Sequence, residues 1–314
     1  MKKISKKLAA TVVTLLVVSF LVFLSFDLLP GDPALSILGT EATPARLEAM
    51  REEMGLNQPL AERYGRWVVD FVQGDMGDSY SYSMPVSEMI ADKIPITLTL
   101  TILSFLMILI VSIPMGIYTT RHKGKLADRV IMAVNQVIMA VPPFFSGILI
   151  TFVLGLTFRL FTPGGYVSYQ DDFGKFVWYM IFPAISVALP KTAMTIRLLR
   201  TTMVEESEKD YVRTAYSRGN NTNGILYRHV LKNAMIPVVT FLGMVLTDII
   251  ASSIIIEQVY NIPGIGRILL TSIANRDYPV VEAIIVIICF LVIVVNFMVD
   301  VLYRFLDPRI NAGE

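Results

Sequence analysis

Six long apolar stretches limit what this chain can fold into. Four of them are free of charged residues and span residues 8–26, 94–120, 130–158 and 283–299. The other two each contain one charge, Lys191 within residues 176–196 and Asp248 within residues 233–256. A helix needs about 20 apolar residues to cross the hydrocarbon core of a bilayer. The sequence therefore predicts an all-α integral membrane protein with six transmembrane helices.

The composition supports this class and excludes others. Hydrophobic residues make up 54% of the chain and charged residues 17%, whereas a soluble domain carries about 25% charged residues. A net charge of +1 gives no sign of nucleic-acid binding. The single cysteine, Cys289, lies in an apolar stretch, which excludes an intrachain disulfide and argues against a thiolate metal cluster.

The first stretch is interpreted as a retained span. It is longer than the 7–15-residue core of a signal peptide, and no small-x-small cleavage site follows Phe26. Seventeen lysines and arginines fall on one set of flanks, against four in the two short opposite loops. By the positive-inside rule, both termini are expected in the cytoplasm.

The predicted outer loop, residues 30–93, is expected to form a small external helical cap. Thr43-Pro44 is typical of an N-cap followed by proline at the first helical position, and Gly55 is placed to end that helix. A second helix is expected from Pro59 to the glycine-rich run at 74–77. Two roles are open for the cap: packing on the membrane domain, or contact with a soluble delivery partner.

The predicted cytoplasmic segment 197–232 is too long for a simple turn between spans. An apolar stripe, Tyr211, Val212, Ala215 and Tyr216, precedes a helix break at 219–221, after which Ile225, Leu226 and Val230 resume the pattern. We call residues 197–232 the coupling segment. Its pattern predicts two helices around a glycine turn, which either project towards a cytoplasmic partner or lie in the headgroup layer.

Catalytic motifs are absent from the sequence. Gly124-Lys125 is followed by Leu126, so no nucleotide-binding G-x-x-x-x-G-K-[ST] loop occurs. The two histidines, His122 and His229, are far apart and lack metal-ligand spacing. We expect no enzyme activity and no cofactor or metal bound by this chain.

Charges within the apolar stretches are costly and mark functional positions. An aspartate at the centre of a span costs about 2.5–3.5 kcal/mol on insertion scales. Asp248, followed one turn later by Ser252 and Ser253, is expected either to line a translocation path or to hydrogen-bond a neighbouring helix. Lys191 is expected to extend towards the cytoplasmic side.

An ordered set of motifs follows the chain. The set comprises LPGDP at 29–33, GLNQPL at 55–60, GDMGDSY at 74–80, DYVRTA at 210–215 with Gly219, HVLKNA at 229–234 with Pro237, Glu257 with PGIG at 263–266, RDYP at 276–279 and LDPR at 306–309. With these motifs the chain resembles the B-type permease subunits of the dipeptide/oligopeptide/nickel ABC importers. The resemblance covers nearly the whole length.

The resemblance implies a type I ABC importer permease fold and three parts: the N-terminus and first span (1–29), the cap (30–93), and a five-span core (94–314) that contains the coupling segment. In this family the coupling segment docks on the ATPase subunit. The residues implied in that contact are Tyr211, Arg213, Ala215, Arg218, Gly219, His229 and Leu231, and those on the translocation path are Asp248, Ser252 and Glu257. Arg213 and Lys232 stand where the general importer motif has glutamate and proline.

The partners implied by the resemblance are a paralogous permease subunit, two cytoplasmic ATPases that bind ATP and Mg²⁺, and an extracytoplasmic substrate-binding protein. The chain would form half of a pore for di- or oligopeptides in a bacterial or archaeal cell membrane. Alternatives are the same machinery importing nickel or a metal chelate, a stand-alone secondary transporter, or a membrane scaffold. Asp248 and the proline-interrupted third stretch at 141–143 are compatible with the secondary transporter, although no internal repeat is evident.

Overall fold

The computed structural model describes residues 2–28, 33–39 and 42–306. Five helical segments are long and apolar enough to cross a membrane: Ala9–Leu28, Val86–Arg121, Phe173–Ser207, Thr222–Val259 and Tyr278–Val299. A bent pair, Leu126–Met139 and Pro143–Thr157, brings the number of spans to six if it counts as one. The prediction of an all-α membrane fold with six spans is confirmed.

The chain divides into two compact units, each described by itself. The first unit contains residues 1–96 and 263–293, so it combines the N-terminal part of the chain with a later segment. Its helices are α1 (Lys2–Leu28), α2 (Pro33–Leu38), α3 (Pro44–Glu53), α4 (Leu60–Gln73) and α5 (Val86–Ala91). The later helices α13 (Ile265–Ala274) and the beginning of α14 (Tyr278–Leu306) complete this unit.

The helices predicted in the cap are confirmed. Helix α3 has Thr43 at its N-cap and proline at the first helical position, and Gly55, with φ +68°, follows its end. Helix α4 begins after Pro59 and ends at Gly74, whose φ of +93° is the left-handed conformation of a glycine C-cap.

Helix α4 packs on α1 through aromatic rings. The Tyr64 ring lies 5.1 Å from Phe20 and 5.7 Å from Phe23, and Trp67 lies 6.0 Å from Phe23. The hydroxyl groups of Tyr64 and Ser19 are 2.9 Å apart, which satisfies polar groups on the inner face of α1. The aromatic face of α4 thus packs against the first span.

The second unit contains residues 97–262 and 294–314. It comprises most of α6 (Ile94–Arg121), then α7 (Leu126–Met139), α8 (Pro143–Ile150), α9 (Phe173–Ser207), α10 (Asp210–Ser217), α11 (Thr222–Ile225) and α12 (Leu231–Val259). Two π-helical segments, Thr151–Thr157 and Leu226–Val230, continue α8 and α11. Helix α9 is the centre of this unit, because α7, α8 and α12 all pack against it.

The third apolar stretch is broken instead of forming one straight helix. Helix α7 ends at Met139, α8 begins at Pro143, and the two parts meet at an angle of 102°. Proline has no N–H group and disfavours the helical conformation of the residue before it. The pair Pro142-Pro143 therefore ends α7 and starts a new helix with its own direction.

Two of the sequence motifs lie largely outside the described residues. These are LPGDP at 29–33, of which only Pro33 is described, and LDPR at 306–309, of which only Leu306 is described. The other motifs lie in the two units as the following sections report.

Candidate functional site

The coupling segment folds as two short helices around a glycine turn, as predicted. Helix α10 is followed by Gly219, whose φ is +79°. The Asn221 side chain then caps α11 by accepting a hydrogen bond from the Gly224 amide at 2.7 Å. A residue with a side chain is strained at such a positive φ, so glycine is the residue type that the turn requires.

One face of α10 is anchored to the rest of the unit. Val212 and Ala215 are buried. The Tyr211 hydroxyl donates to Glu206 Oε1 at 2.8 Å and accepts from Asn233 Nδ2 at 3.1 Å. Burial raises the pKa of Tyr211, so its hydroxyl keeps the proton that it donates. These contacts join α10 to the end of α9 and the start of α12.

The opposite face of the coupling segment is open. The Arg213 side chain is 78% exposed and its nearest acid, Asp210, is 3.6 Å away on the same helix. Arg218, Gly219 and His229 are exposed, while Leu231 is half-buried. Tyr216 and Tyr227 add exposed rings to this face. Basic and aromatic side chains together form a surface suited to a protein partner, since aromatic residues and arginine are enriched at protein interfaces.

A bidentate ion pair joins α7 to α9 near the start of the coupling segment. Arg200 Nε and Nη2 donate to the two carboxylate oxygens of Asp128 at 2.6 and 2.7 Å. The Asp128 side chain is 3% exposed and also accepts from the Gly124 amide at 2.9 Å. The pair locks the start of α7 onto α9. Beside it, Lys123 donates to Glu208 at 2.7 Å, and this hydrogen bond lowers the pKa of the Glu208 carboxyl.

The two charges predicted within apolar stretches meet each other. Lys191 Nζ of α9 lies 2.6 Å from Asp248 Oδ2 of α12. The Lys191 side chain is 15% exposed and the Asp248 side chain 60% exposed, so the carboxylate is accessible at the surface of this chain. The Lys191 ammonium group is held by Asp248, and its expected extension towards the cytoplasmic side stays a prediction.

The other two predicted path residues differ in exposure. Ser252 is half-buried. Glu257 is fully buried, and one of its carboxylate oxygens accepts a hydrogen bond from the Thr97 hydroxyl at 2.6 Å. In this structure the Glu257 carboxylate faces protein, whereas Asp248 is open. The neighbouring Ser253 hydroxyl is also buried and donates to the Ile250 carbonyl of its own helix.

The broken span is held by Tyr260, a residue that the sequence did not single out. Its hydroxyl lies 2.8 Å from the Ser186 hydroxyl and donates to the Gly147 carbonyl at 3.3 Å, while its own carbonyl accepts from Tyr179 at 2.7 Å. The Phe161 ring stacks 4.1 Å from Phe182 beside this network. Residues after α12 thereby tie α8 to α9.

A second unpredicted anchor lies in the first unit. The Asp277 carboxylate is fully buried and accepts from the Ser79 hydroxyl at 2.5 Å, the Tyr80 amide at 2.9 Å and the Ser81 amide at 3.2 Å. Both sides of this contact belong to motifs noted above, GDMGDSY and RDYP. Among the described residues, no group of three His, Cys, Asp or Glu side chains is placed to hold a metal ion.

Comparisons with known proteins agree with this architecture. Residues 112–312 match the family model of the binding-protein-dependent transport system inner membrane component, and residues 1–101 match the N-terminal model of such membrane components. A chain of the MetNI methionine ABC transporter in inward-facing conformations has a similar fold, with a TM-score of 0.52 at 18% identity. The match covers 68% of this chain and 93% of that chain.

Several curated proteins are similar over nearly their full length. A putative peptide transport system permease of Brucella suis is 35% identical over 308 residues, which cover 98% of each chain. The oligopeptide transport system permease AppB of Bacillus subtilis is 34% identical and covers 95% of each chain. The glutathione transport system permease GsiC of Escherichia coli is 35% identical over 98% of this chain and 97% of its own.

Proposed function

Because the chain belongs to the family of inner membrane components of binding-protein-dependent transport systems, we propose that it is the permease subunit of an ATP-driven importer of short peptides. The observation that carries this proposal is its full-length similarity, at 34–35% identity, to three permeases whose names specify peptides, oligopeptides or the tripeptide glutathione. The chain supplies half of the pore, and a paralogous permease supplies the other half.

The coupling segment is the surface through which ATP hydrolysis acts. Its anchored face transmits displacement of α10 to α9 and α12 through Tyr211. Its open face, with Arg213 as the polar contact, docks on one of two cytoplasmic ATPase subunits that carry ATP and Mg²⁺. This assignment orients the chain with both termini in the cytoplasm and the cap outside, where an extracytoplasmic binding protein delivers the solute.

The translocation path runs along the α9 and α12 surface that contains Asp248. An exposed carboxylate within a span is tolerated where it faces water or another polar surface, and the pore between two permeases provides such a surface. Lys191 orients the Asp248 side chain. Ser252 continues the polar surface one turn further along α12. Glu257 lies in the protein interior behind this surface, where it accepts a hydrogen bond from Thr97.

The test is transport by the reconstituted complex. The chain is co-expressed with its paralogous permease, ATPases and binding protein, and the complex is placed in liposomes. We expect ATP-dependent uptake of radiolabelled di- or tripeptides, and no uptake without the binding protein. Nickel uptake in place of peptide uptake would overturn the proposed substrate. Uptake by this chain alone along an ion gradient would overturn the proposed mechanism.

Arg213→Ala is the matched test of the docking surface. We expect it to weaken ATPase retention during purification while the two permeases stay associated. Lys125→Ala is the control, since Lys125 is exposed but lies outside the coupling segment. If the Arg213 variant and the control retain the ATPase subunits equally well, Arg213 does not take part in the contact.

A further inference from the structure

A cavity of about 520 Å³ lies within the first unit, apart from the coupling segment and Asp248. It is an open cavity lined by the end of α1, the loop between α3 and α4, α4, the loop at 75–80 and the beginning of α14. Its volume falls in the range of about 300–1,000 Å³ that small-molecule sites occupy.

One wall of the cavity is aromatic. Phe23, Phe26 and Trp67 line it, with the Phe23 and Trp67 rings 6.0 Å apart. Tyr278 lies 5.2 Å from Phe26 and extends the wall towards α14. Such a wall provides apolar contact area and accommodates the hydrocarbon part of a ligand.

The polar side of the cavity contains two buried acceptor groups that have no hydrogen-bond partner among the described residues. Glu282 lines the cavity, the residue is 8% exposed, and no described residue forms a hydrogen bond or ion pair with its carboxylate. Gln58 lines the same cavity, and its buried Oε1 has no hydrogen-bond partner among the described residues. Buried polar groups are normally hydrogen-bonded, and an unpaired one costs free energy. Two unpaired acceptors therefore indicate a ligand that donates.

Three arginines, Arg51, Arg63 and Arg66, also line the cavity, but none of them forms a hydrogen bond or ion pair with Glu282 or with Gln58 Oε1. Arg63 is held by Asp27 in an ion pair and lies over the Phe23 ring at 5.6 Å. It attracts Glu282 through space, but it makes no ion pair with that carboxylate. The Asp277 carboxylate, close in sequence, is already saturated by the loop at 79–81. Glu282 is thus the acidic group of this cavity that is buried and unengaged among the described residues.

We propose that this cavity binds a primary ammonium group attached to an apolar body. The ammonium donates to the Glu282 carboxylate and to Gln58 Oε1, and the apolar body lies on Phe23, Phe26 and Trp67. Two ligands share this chemistry: the N-terminus of a short peptide and the ethanolamine headgroup of a phospholipid. The site does not depend on the proposed transport function, because binding is measured on the chain without ATPases or binding protein.

Trp67 provides the signal for the test. The chain has two tryptophans, and Trp178 lies in the second unit, so Trp178→Phe leaves Trp67 as the sole tryptophan, which is excited selectively over tyrosine. The full chain is placed in nanodiscs of phosphatidylcholine. The headgroup of this lipid is a quaternary ammonium group and has no N–H to donate. Phenylalanyl-alanine is titrated against its N-acetylated form, and a second set of nanodiscs replaces half of the lipid with phosphatidylethanolamine.

We expect either the free dipeptide or the ethanolamine lipid to change Trp67 fluorescence saturably, with the N-acetylated dipeptide at least about tenfold weaker, because hydrogen bonds to charged groups contribute about 1.5–3 kcal/mol. A response to the dipeptide identifies a peptide terminus as the ligand, and a response to the lipid alone identifies the headgroup. Glu282→Gln should weaken that response at least about tenfold.

Two controls keep the result decisive. Glu88→Gln removes an exposed acid of the same unit that does not line the cavity, and it should bind like the parent. Gln58→Leu removes the second acceptor and should weaken binding several-fold, which supports the site even if Glu282→Gln fails to fold. Equal binding of free and acetylated dipeptide without a lipid response, or unchanged binding by a folded Glu282→Gln variant, would overturn the proposal.

Discussion

Lys191 and Asp248, which lie 57 residues apart in sequence, form an ion pair of 2.6 Å between α9 and α12. The pair combines a largely buried ammonium group with a carboxylate that is open at the surface of the chain. Two roles are open for Asp248: a place on the translocation path, or a structural contact between α9 and α12.

The first prediction separates these two roles. Asp248→Asn should lower peptide uptake by the reconstituted complex while assembly is retained, since the path loses its charge but the helices lose little stability. The exchange variant Lys191→Asp with Asp248→Lys restores an ion pair with the opposite polarity. If the exchange variant transports normally, the pair is structural and Asp248 does not contact the solute.

The second prediction concerns the anchor at Asp277. Asp277→Ala removes three hydrogen bonds to a charged acceptor, one of them from the buried Ser79 hydroxyl, so we expect a loss of about 3 kcal/mol in local stability. Hydrogen exchange of the amides of Tyr80 and Ser81 should accelerate in the variant. Asp78→Asn changes an exposed acid in the same loop and should leave exchange unchanged. Protected amides in Asp277→Ala would show that other contacts hold the loop.

The third prediction concerns the Arg200–Asp128 pair. Arg200→Met leaves a buried carboxylate uncompensated, and we expect a destabilisation of about 3–5 kcal/mol. Arg200→Lys should recover only part of the loss, because lysine cannot form the bidentate contact. Thermal unfolding of the purified chain in detergent measures both variants. Arg129→Lys, at an exposed neighbouring position, is the control, and a lysine variant as stable as the parent would show that the bidentate geometry is unimportant.

The fourth prediction tests the turn after α10. Gly219 has φ +79° and nothing lies within 4 Å of the position that a Cβ atom would occupy, so Gly219→Val acts through backbone strain of about 1–2 kcal/mol. We expect ATP hydrolysis that is uncoupled from uptake. Gly164 has a similar φ of +73° and equally open surroundings, so Gly164→Val imposes the same strain elsewhere and should stay coupled. Gly219→Asn should be tolerated better than valine.

The fifth prediction tests the orientation of the chain. In a Cys289→Ser background, a cysteine in place of Asn220 should react with impermeant reagents only from the cytoplasm. A cysteine in place of Val72, whose side chain is 81% exposed on α4, should react only from outside. Labelling of both positions from the same side would contradict the orientation that the basic flanks predict.

Sequence reasoning located the helices because apolar length, glycine and proline act locally. Gly55, Gly74 and Gly219 take the positive φ values that their positions predict, and Pro142-Pro143 indicates an interruption. The 102° angle at that interruption could not be predicted, because it depends on how α8 packs against α9.

The polar contacts were harder to predict because they join distant parts of the chain. Asp248 stands out as a charge in an apolar stretch, but nothing local selects Lys191 as its partner. Asp277 and Ser79 lie in two recognisable motifs, yet their pairing across 198 residues follows only from the fold. Glu282 lies near the start of an apolar stretch, and nothing in the neighbouring sequence shows that it is buried. Its burial follows from the packing of α14 with α1 and α4.

The anchor at Asp277 also has a consequence for biosynthesis. Residues 79–81 are synthesised early, but the carboxylate that holds them is added almost 200 residues later. At a translation rate of about 5–20 residues per second, the loop waits about 10–40 s for its acceptor. In ribosome-bound chains that stop before the last span, the loop at 79–81 therefore lacks its hydrogen bonds to Asp277. The first unit is completed only when the C-terminal helix has emerged.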